Sequence, residues 1–434
     1  MIKESILSSI FDDHKNVLIH GMAGTGKTYM LREIADIAMS MGIVVYSTAT
    51  TGVAAINLRM GTTFHSYAGI GTAWQDKENL FRFARTNKKA RERIQNTQIL
   101  IIDEISMYGT DLLAKVDYVF KNIRCNNEHF GGIQLVLSGD FLQLPPVKDE
   151  WIFKAPEWKQ LNLVPYVLTE CRRYSQEQFF EMLSRLRKGT PSPQDIILLK
   201  ERAKAYRKFV PKPGGILPTI FYSRKVDAET YNTEQLSLIN SPEHTFVAID
   251  TFNDTIGYAE DRKPYIEMLD NSIPREITLK VGAQVMLRWN LDTSAGLCNG
   301  SRGVVVRIGK WNGEEAVTVK FVNGAEENII RNKWTSDSYK ASASRVQIPL
   351  ILAFAMTIHK SQGQTLDYAV VNVGHSIFAN GQAYVALSRV RDIEGLFISE
   401  FIPNTIRADG DALDYVERIE AMEHEHKRVE LVFE

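Results

Sequence analysis

Cysteine is scarce in this 434-residue sequence: Cys125, Cys171 and Cys298 are the three, far apart and without a C-x-x-C pair. This excludes a disulfide framework and a cysteine zinc site, and all three read as packing residues. Long apolar runs are also missing, since the longest mostly apolar stretch, Pro349 to Ile358, is about half of the roughly 20 residues a membrane-spanning helix requires. Neither sign of charge is in excess. With 51 Lys and Arg against 52 Asp and Glu, the net charge of -1 gives no global attraction to a polyanion, so any nucleic-acid contact has to come from a local groove. The opening segment MIKESILSSIFDD has no arginine and places two acids directly after a short apolar patch. It fits neither a secretory nor an organellar leader, and a reducing, intracellular setting is expected. His424, Glu425 and His426 read as solvated charge in a tail rather than as metal ligands.

What is present suffices for a folded chain of two to four domains: 44% of residues are apolar and 24% charged. Val17 to Ile19, Ile43 to Tyr46, Ile99 to Ile102 and Ile133 to Leu137 are short, nearly continuous apolar runs, as expected of parallel strands covered on both faces. Helical spacing between them, as in Met30, Leu31, Ile34, Ile37 and Ala38, implies an α/β fold whose ligands sit at the carboxyl ends of the strands. Pro218 to Tyr222, Leu350 to Ala355, Ala369 to Val373 and Leu396 to Ser399 predict a second sheet of the same type. Between residues 275 and 345 the texture changes to strand runs separated by Asn312-Gly313 and Asn323-Gly324, which is hairpin chemistry. A small inserted antiparallel β-barrel is the simplest reading.

Gly21-Met-Ala-Gly24-Thr25-Gly26-Lys27-Thr28 fits G-x-x-x-x-G-K-[ST] between a strand and a helix. Its glycines let backbone N–H groups converge on phosphate oxygens, Lys27 reaches the terminal phosphates, and Thr28 can ligate magnesium. The run Leu100 to Glu104 ends a buried strand in two acids. Asp103 can hold the metal through water, and Glu104 can orient and deprotonate an attacking water. After the fourth strand comes Ser138-Gly-Asp-Phe-Leu-Gln143-Leu-Pro-Pro146, where the Gln143 amide can sense a γ-phosphate. The combination predicts an ATPase.

Further motifs extend the pattern: Thr50 to Ala55 with Thr63-Phe64-His65-Ser66, Phe130-Gly-Gly-Ile-Gln-Leu135, Lys280 to Leu287, Leu297 to Ser301, Thr357-Ile-His359-Lys360-Ser-Gln-Gly363, and Gly381-Gln-Ala-Tyr-Val-Ala-Leu-Ser-Arg389. With these the chain resembles Pif-type helicases of superfamily 1, the 5′-to-3′ subgroup that also holds RecD and Dda, over most of Val17 to Ser399. The resemblance implies two RecA-like domains, a wedge insertion and the barrel. The boundaries expected are 1–165 for the ATP-binding domain with its wedge at 70–97, then 166–250 and 346–405 for the second domain, 251–345 for the barrel and 406–434 for a C-terminal helix.

It also implies ATP and Mg2+ as cofactors, with Gly21, Gly24, Thr25, Gly26, Lys27, Thr28, Gly363 and Arg389 around the nucleotide and Thr28 and Asp103 at the metal. Lys27, Glu104, Gln143, Arg173 and Arg389 take the catalytic parts. The two arginines would reach the γ-phosphate from the second domain, and Arg172 could replace Arg173 with a one-residue shift. Thr51, Gly52, Thr63, Phe64 and His65 on one domain, and Thr357, His359 and Lys360 on the other, are the implied contacts to single-stranded DNA; both histidines have structural alternatives. Residues 77 to 93 hold seven cations against two acids, with Trp74, Phe81 and Phe83 nearby, which is either the family's wedge or a solvated basic helix.

The implied activity is ATP-dependent 5′-to-3′ unwinding of duplex DNA from a single strand, in replication, repair, recombination or telomere upkeep. Forked or tailed duplex DNA is the expected partner and action as a monomer the working expectation. One departure from the family pattern is the absence of glutamine from residues 1 to 20, where an adenine-reading motif is usual. A protein-remodelling ATPase and a P-loop phosphotransferase are the competing readings.

Overall fold

The computed structural model describes residues 2–433 apart from 72, 74, 175, 209–216, 253–265, 267, 268, 271, 293, 294, 296, 298, 338–341 and 367. Trp74 and Cys298 therefore lie outside the described residues. The chain is α/β and divides into two compact units. The first gathers Met1–Ala203, Gln362–Asp367 and Val373–Glu434, and the second Lys204–Ser361 with Tyr368–Asn372.

The first unit is built on six parallel strands, β1 (Val17–Gly21), β2 (Val45–Ala49), β3 (Thr62–Thr63), β4 (Ile99–Asp103), β5 (Gln134–Gly139) and β6 (Val164–Leu168), ordered β3-β2-β4-β5-β1-β6. Alternate residues of the buried runs feed opposite faces. Val17, Ile19, Ile99, Ile101 and Val136 pack with Met30, Leu31 and Ile34 of the helix Lys27–Ser40. Leu18, Leu100, Ile102, Leu135 and Leu137 pack with Phe64, Tyr67, Phe120 and Trp158 on the other face. Covering both faces is what makes these strands read as unbroken apolar runs. The pairings His20↔Gly139 and Ile102↔Leu137 bring the ends of β1, β5 and β4 to one edge, and that edge carries Gly21, Asp140 and Asp103.

The last helix, Gly410–Phe433, completes this unit. Tyr415 stacks on Phe153 at 4.1 Å and accepts from Trp158 Nε1 at 2.7 Å, while Glu423 Oε1 accepts from the Val167 N–H of β6 at 3.2 Å. The expected boundaries at 165 and 406 are therefore not where the compact units part, because residues 166–203 and 373–409 also pack into the first unit. The basic segment is two helices, Lys77–Thr86 and Lys88–Asn96, capped by Asp76 and Asn87. They bury Leu80, Ala84, Ala90 and Ile94 and leave most of their charges exposed, whereas Arg93 is half-buried and donates to Ser66 O at 2.7 Å.

In the second unit Ala355–Thr357, Thr219–Tyr222 and Ala369–Val373 pair in parallel, in that order. The run Leu350 to Ala355 is split. Leu350–Leu352 pairs antiparallel with Gln284–Leu287, and only Ala355 onward joins the parallel strands. The Asn312-Gly313 turn has positive φ at both residues, 51° and 87°, as a tight hairpin requires. The expected barrel is corrected: five antiparallel strands run from Glu326–Ile330 to Leu350–Leu352, with separate three- and two-stranded sheets, and among the described residues no ladder joins the ends into a barrel. Turn residues fix neighbouring strands, but closure depends on strand number and stagger, which local sequence does not encode.

The cysteines are corrected too. Cys125 is exposed and Cys171 half-buried, and both are free thiols rather than core residues. Among the described residues no helix is long and apolar enough to cross a membrane. His424, Glu425 and His426 fall on the last helix, where their side chains lie outside the described residues.

Candidate active site

The loop after β1 turns on Gly24 and Gly26, with φ of 88° and 90°. At Gly24 a Cβ would also sit 2.8 Å from the Tyr174 ring and 2.9 Å from Arg173 Cβ, so glycine is required for both conformation and space. Thr25 Oγ1 donates to Met22 O at 2.9 Å, and Lys27 Nζ donates to Gly21 O at 2.6 Å and Met22 O at 3.0 Å. Burial pulls the Lys27 ammonium below its ordinary value, with Asp140, Glu104 and Asp103 opposing. Thr28 Oγ1 donates to Asp103 Oδ2 at 3.2 Å, which places together the two oxygens that a hard divalent cation takes. A cavity of about 220 Å³ joins Gly24, Gly26, Lys27, Thr28, Asp103, Glu104, Gln143, Arg173, Gly363 and Arg389. All of these belong to the first compact unit.

Glu104 leaves β4 in the left-handed region, φ 56° and ψ 41°, unusual for a non-glycine residue. Burial, and then neighbouring Asp103, raise its carboxyl, while Lys27, Arg389 and Gln362 pull the other way. Gln362 Nε2 lies 3.2 Å from Glu104 Oε2 and 3.4 Å from Gln143 Oε1. Arg389 is buried, with Nε on Val385 O at 2.8 Å and Nη2 on Ser388 Oγ at 2.7 Å; burial and then Arg173 lower its pKa. Arg173 lines the same cavity, and its Nη1 is buried with no hydrogen-bond partner. Arg172 also lines the cavity, but its guanidinium pairs with Glu170 at 2.5 Å, and both side chains are exposed. The two arginines were expected from a separate domain. They fall in the same compact unit as Lys27, because Tyr174 Oη bonds Ser388 O at 3.0 Å and Tyr384 Oη accepts from Ala23 N in the phosphate loop at 3.0 Å.

Sequence reasoning missed the layer beneath. Arg187 forks onto Asp140 at 2.8–3.1 Å and reaches His20 Nε2 at 2.7 Å, all buried. His20 therefore presents Nε2 as an acceptor, and burial followed by Arg187 pushes its pKa down to about 3. Burial alone would raise Asp140, but Arg187 and then His20 hold it at about 2. Nothing local marks Arg187. Gln362 and Tyr384 lay inside quoted motifs, and their polar side chains at buried positions were the available signal.

Among the strand-contact candidates of the first unit, Thr51 caps the helix Gly52–Ile56 and Thr63 caps Phe64–Ala68. Adjacent strands β2 and β3 deliver these caps, through the pair Ala49↔Thr63. Phe64 is 2% exposed, packed on Tyr67, Tyr108 and Phe120. Its ring is core and presents no face to a base, contrary to expectation. His65 is partly buried, which lowers its pKa. In the second unit Thr357 Oγ1 accepts from Lys360 N at 3.3 Å, capping Ile358–Ser361. His359 is partly buried with a lowered pKa, and Lys360 is exposed.

The profile of the PIF1-like helicase family matches residues 1–194, and that of the Pif1 helicase 2B domain residues 268–308. A crystal structure of Pif1 helicase from Candida albicans is 33% identical, with a TM-score of 0.84 over 96% of this chain and 98% of that one. The chain belongs to the Pif1-like helicase family. Bacteroides Pif1 bound to single-stranded DNA is 29% identical, with a TM-score of 0.71 over 96% of both chains. The Homo sapiens ATP-dependent DNA helicase PIF1 is 37% identical over 92% of this chain and 61% of its own length, and the Xenopus laevis Pif1 35% identical over 96% and 64%. The chain thus spans somewhat over six-tenths of these Pif1 relatives.

Proposed function

We propose that the chain is an ATP-dependent DNA helicase that moves 5′ to 3′ along single-stranded DNA and unwinds forked or tailed duplexes. The observation that carries this reading is one cavity where a phosphate-loop lysine, an acidic pair, the half-buried Arg173 and the buried Arg389 meet, in a chain of the Pif1-like family. Lys27 and the loop N–H groups hold the β- and γ-phosphates, Glu104 orients the attacking water and takes its proton, and Gln143 reads the γ-phosphate. Arg173 and Arg389 neutralise charge as it develops on the transferred group, a contribution on the order of 10³ to 10⁵ in rate.

Thr28 and Asp103 would hold Mg2+, which would supply positive charge against that of the phosphates. ATP drives movement only by binding two arrangements of the chain unequally. Thr51, Gly52, Thr63 and His65, with Thr357, His359 and Lys360, grip the strand, and the basic helices Lys77–Thr86 and Lys88–Asn96 act as the wedge. The protein is accordingly DNA-associated. One related structure describes unwinding of forked DNA by two coordinating Pif1 helicases, so unwinding is measured across protein concentrations.

The test is ATPase rate with and without single-stranded DNA, together with unwinding of duplexes bearing a 5′ or a 3′ tail. Stimulation and 5′-tail preference are expected. No stimulation overturns the helicase reading, and 3′-tail preference overturns the polarity.

A further inference from the structure

Gln362 is 2% exposed, and its amide nitrogen faces two acceptors, Glu104 Oε2 at 3.2 Å and Gln143 Oε1 at 3.4 Å. Turning the amide over would set its oxygen against a carboxylate, so the placement of the nitrogen follows from its neighbours. Its own oxygen, Oε1, is buried with no hydrogen-bond partner. A buried acceptor left unmet is unfavourable, and it gives the side chain a reason to leave this arrangement when a competing one is offered. Along the chain only Ser361 separates Gln362 from Lys360, the end of the candidate strand-binding stretch Thr357–Lys360. On the other side stands Gly363, whose φ of 76° keeps the turn open to a residue without Cβ and which lines the cavity.

We infer that Gln362 is the positioning residue through which strand binding controls hydrolysis, clamping Glu104 and Gln143 together until DNA engages Thr357–Lys360. While clamped, one oxygen of the Glu104 carboxylate is committed to an amide N–H instead of the attacking water. Movement of the preceding residues onto a strand withdraws the amide and releases the carboxylate to accept the water's proton. This rests on the proposed function.

The test compares the full chain with Gln362→Met, which keeps length without polarity, and with Gln362→Asn, which is too short to reach both partners. Each is assayed for ATP turnover with and without oligo-deoxythymidine, for KM of ATP, and for oligonucleotide affinity, with fluorescent ATP-analogue binding as the check on folding. DNA-free kcat is expected to rise and the stimulation ratio to fall by about tenfold, with KM and DNA affinity changed by less than about threefold. An unchanged ratio, equal loss of basal and stimulated rates, or a ratio that falls only with DNA affinity overturns the inference. A native chain without stimulation overturns the helicase reading along with it; a stimulated native chain beside a fully stimulated Gln362→Met overturns this inference alone.

Discussion

Thr28 Oγ1 lies 3.2 Å from Asp103 Oδ2, so the helix after β1 and the end of β4 meet at a single pair of oxygens. The other residues proposed for phosphoryl transfer lie around that pair: Lys27 and Glu104 are their chain neighbours, and Arg173 and Arg389 line the same cavity.

Lys27→Ala is expected to lower ATP turnover by at least about 10³ and to weaken nucleotide binding, because it removes the phosphate loop's own cation from the terminal phosphates. Glu104→Gln should bind the fluorescent ATP analogue normally and release no phosphate above background. Nucleotide titration beside a phosphate-release assay separates the two; turnover retained in either variant removes the assignment.

The two adjacent arginines should behave oppositely. Arg173→Ala is expected to lose about 10³ in kcat, within the range for an arginine finger. Arg172→Ala, whose exposed partner is Glu170, should change kcat by less than about threefold. Single-turnover kinetics on both variants decide between them, and a larger loss at Arg172 reverses the assignment.

Folding stability should fall on acidification. Burial and Arg187 depress His20 from its ordinary 6.5 to about 3, so between those values the unfolded chain binds a proton that the folded chain refuses, and stability drops as pH falls through that window. Asp140, held at about 2 against an ordinary 3.8, adds to the loss further down. Urea midpoints from pH 7 to pH 4 should decline, and His20→Gln should flatten the decline by up to one proton. Arg187→Met, which strands a buried carboxylate, should cost about 3–5 kcal/mol.

Phe64→Ala should destabilise the first unit by about 3–5 kcal/mol, as removal of a core ring does. Phe64→Leu, which keeps the volume filled, should leave single-strand affinity unchanged. Denaturant unfolding and fluorescence anisotropy check the pair; a large affinity loss in the leucine variant would show that the ring reaches DNA.

Four of the six strands of the first sheet, the phosphate loop and the acidic pair were legible because each is local: an apolar run, a glycine spacing, two acids at a strand end; the two-residue β3 and the edge strand β6 were not read. Phe64 entered the strand-contact set with the motif Thr63-Phe64-His65, which does not reveal that its ring packs on Tyr67, Tyr108 and Phe120. The Asp140, Arg187 and His20 contact needs three segments far apart in the chain, and no window of sequence holds them together. Leu350 to Ala355 read as one strand because composition does not reveal which sheet each half joins. The hairpin at Asn312-Gly313 was readable from its turn, whereas the open edges of its sheet were not.

The helix Gly410–Phe433 seals residues that emerge hundreds of positions earlier, Phe153, Trp158 and Val167 among them. On the ribosome, the half that holds the phosphate loop must therefore wait until residues 410–423 are made before its sheet is sealed. A fragment cut after Ala203 would leave the Phe153 and Trp158 rings without the Tyr415 ring that covers them.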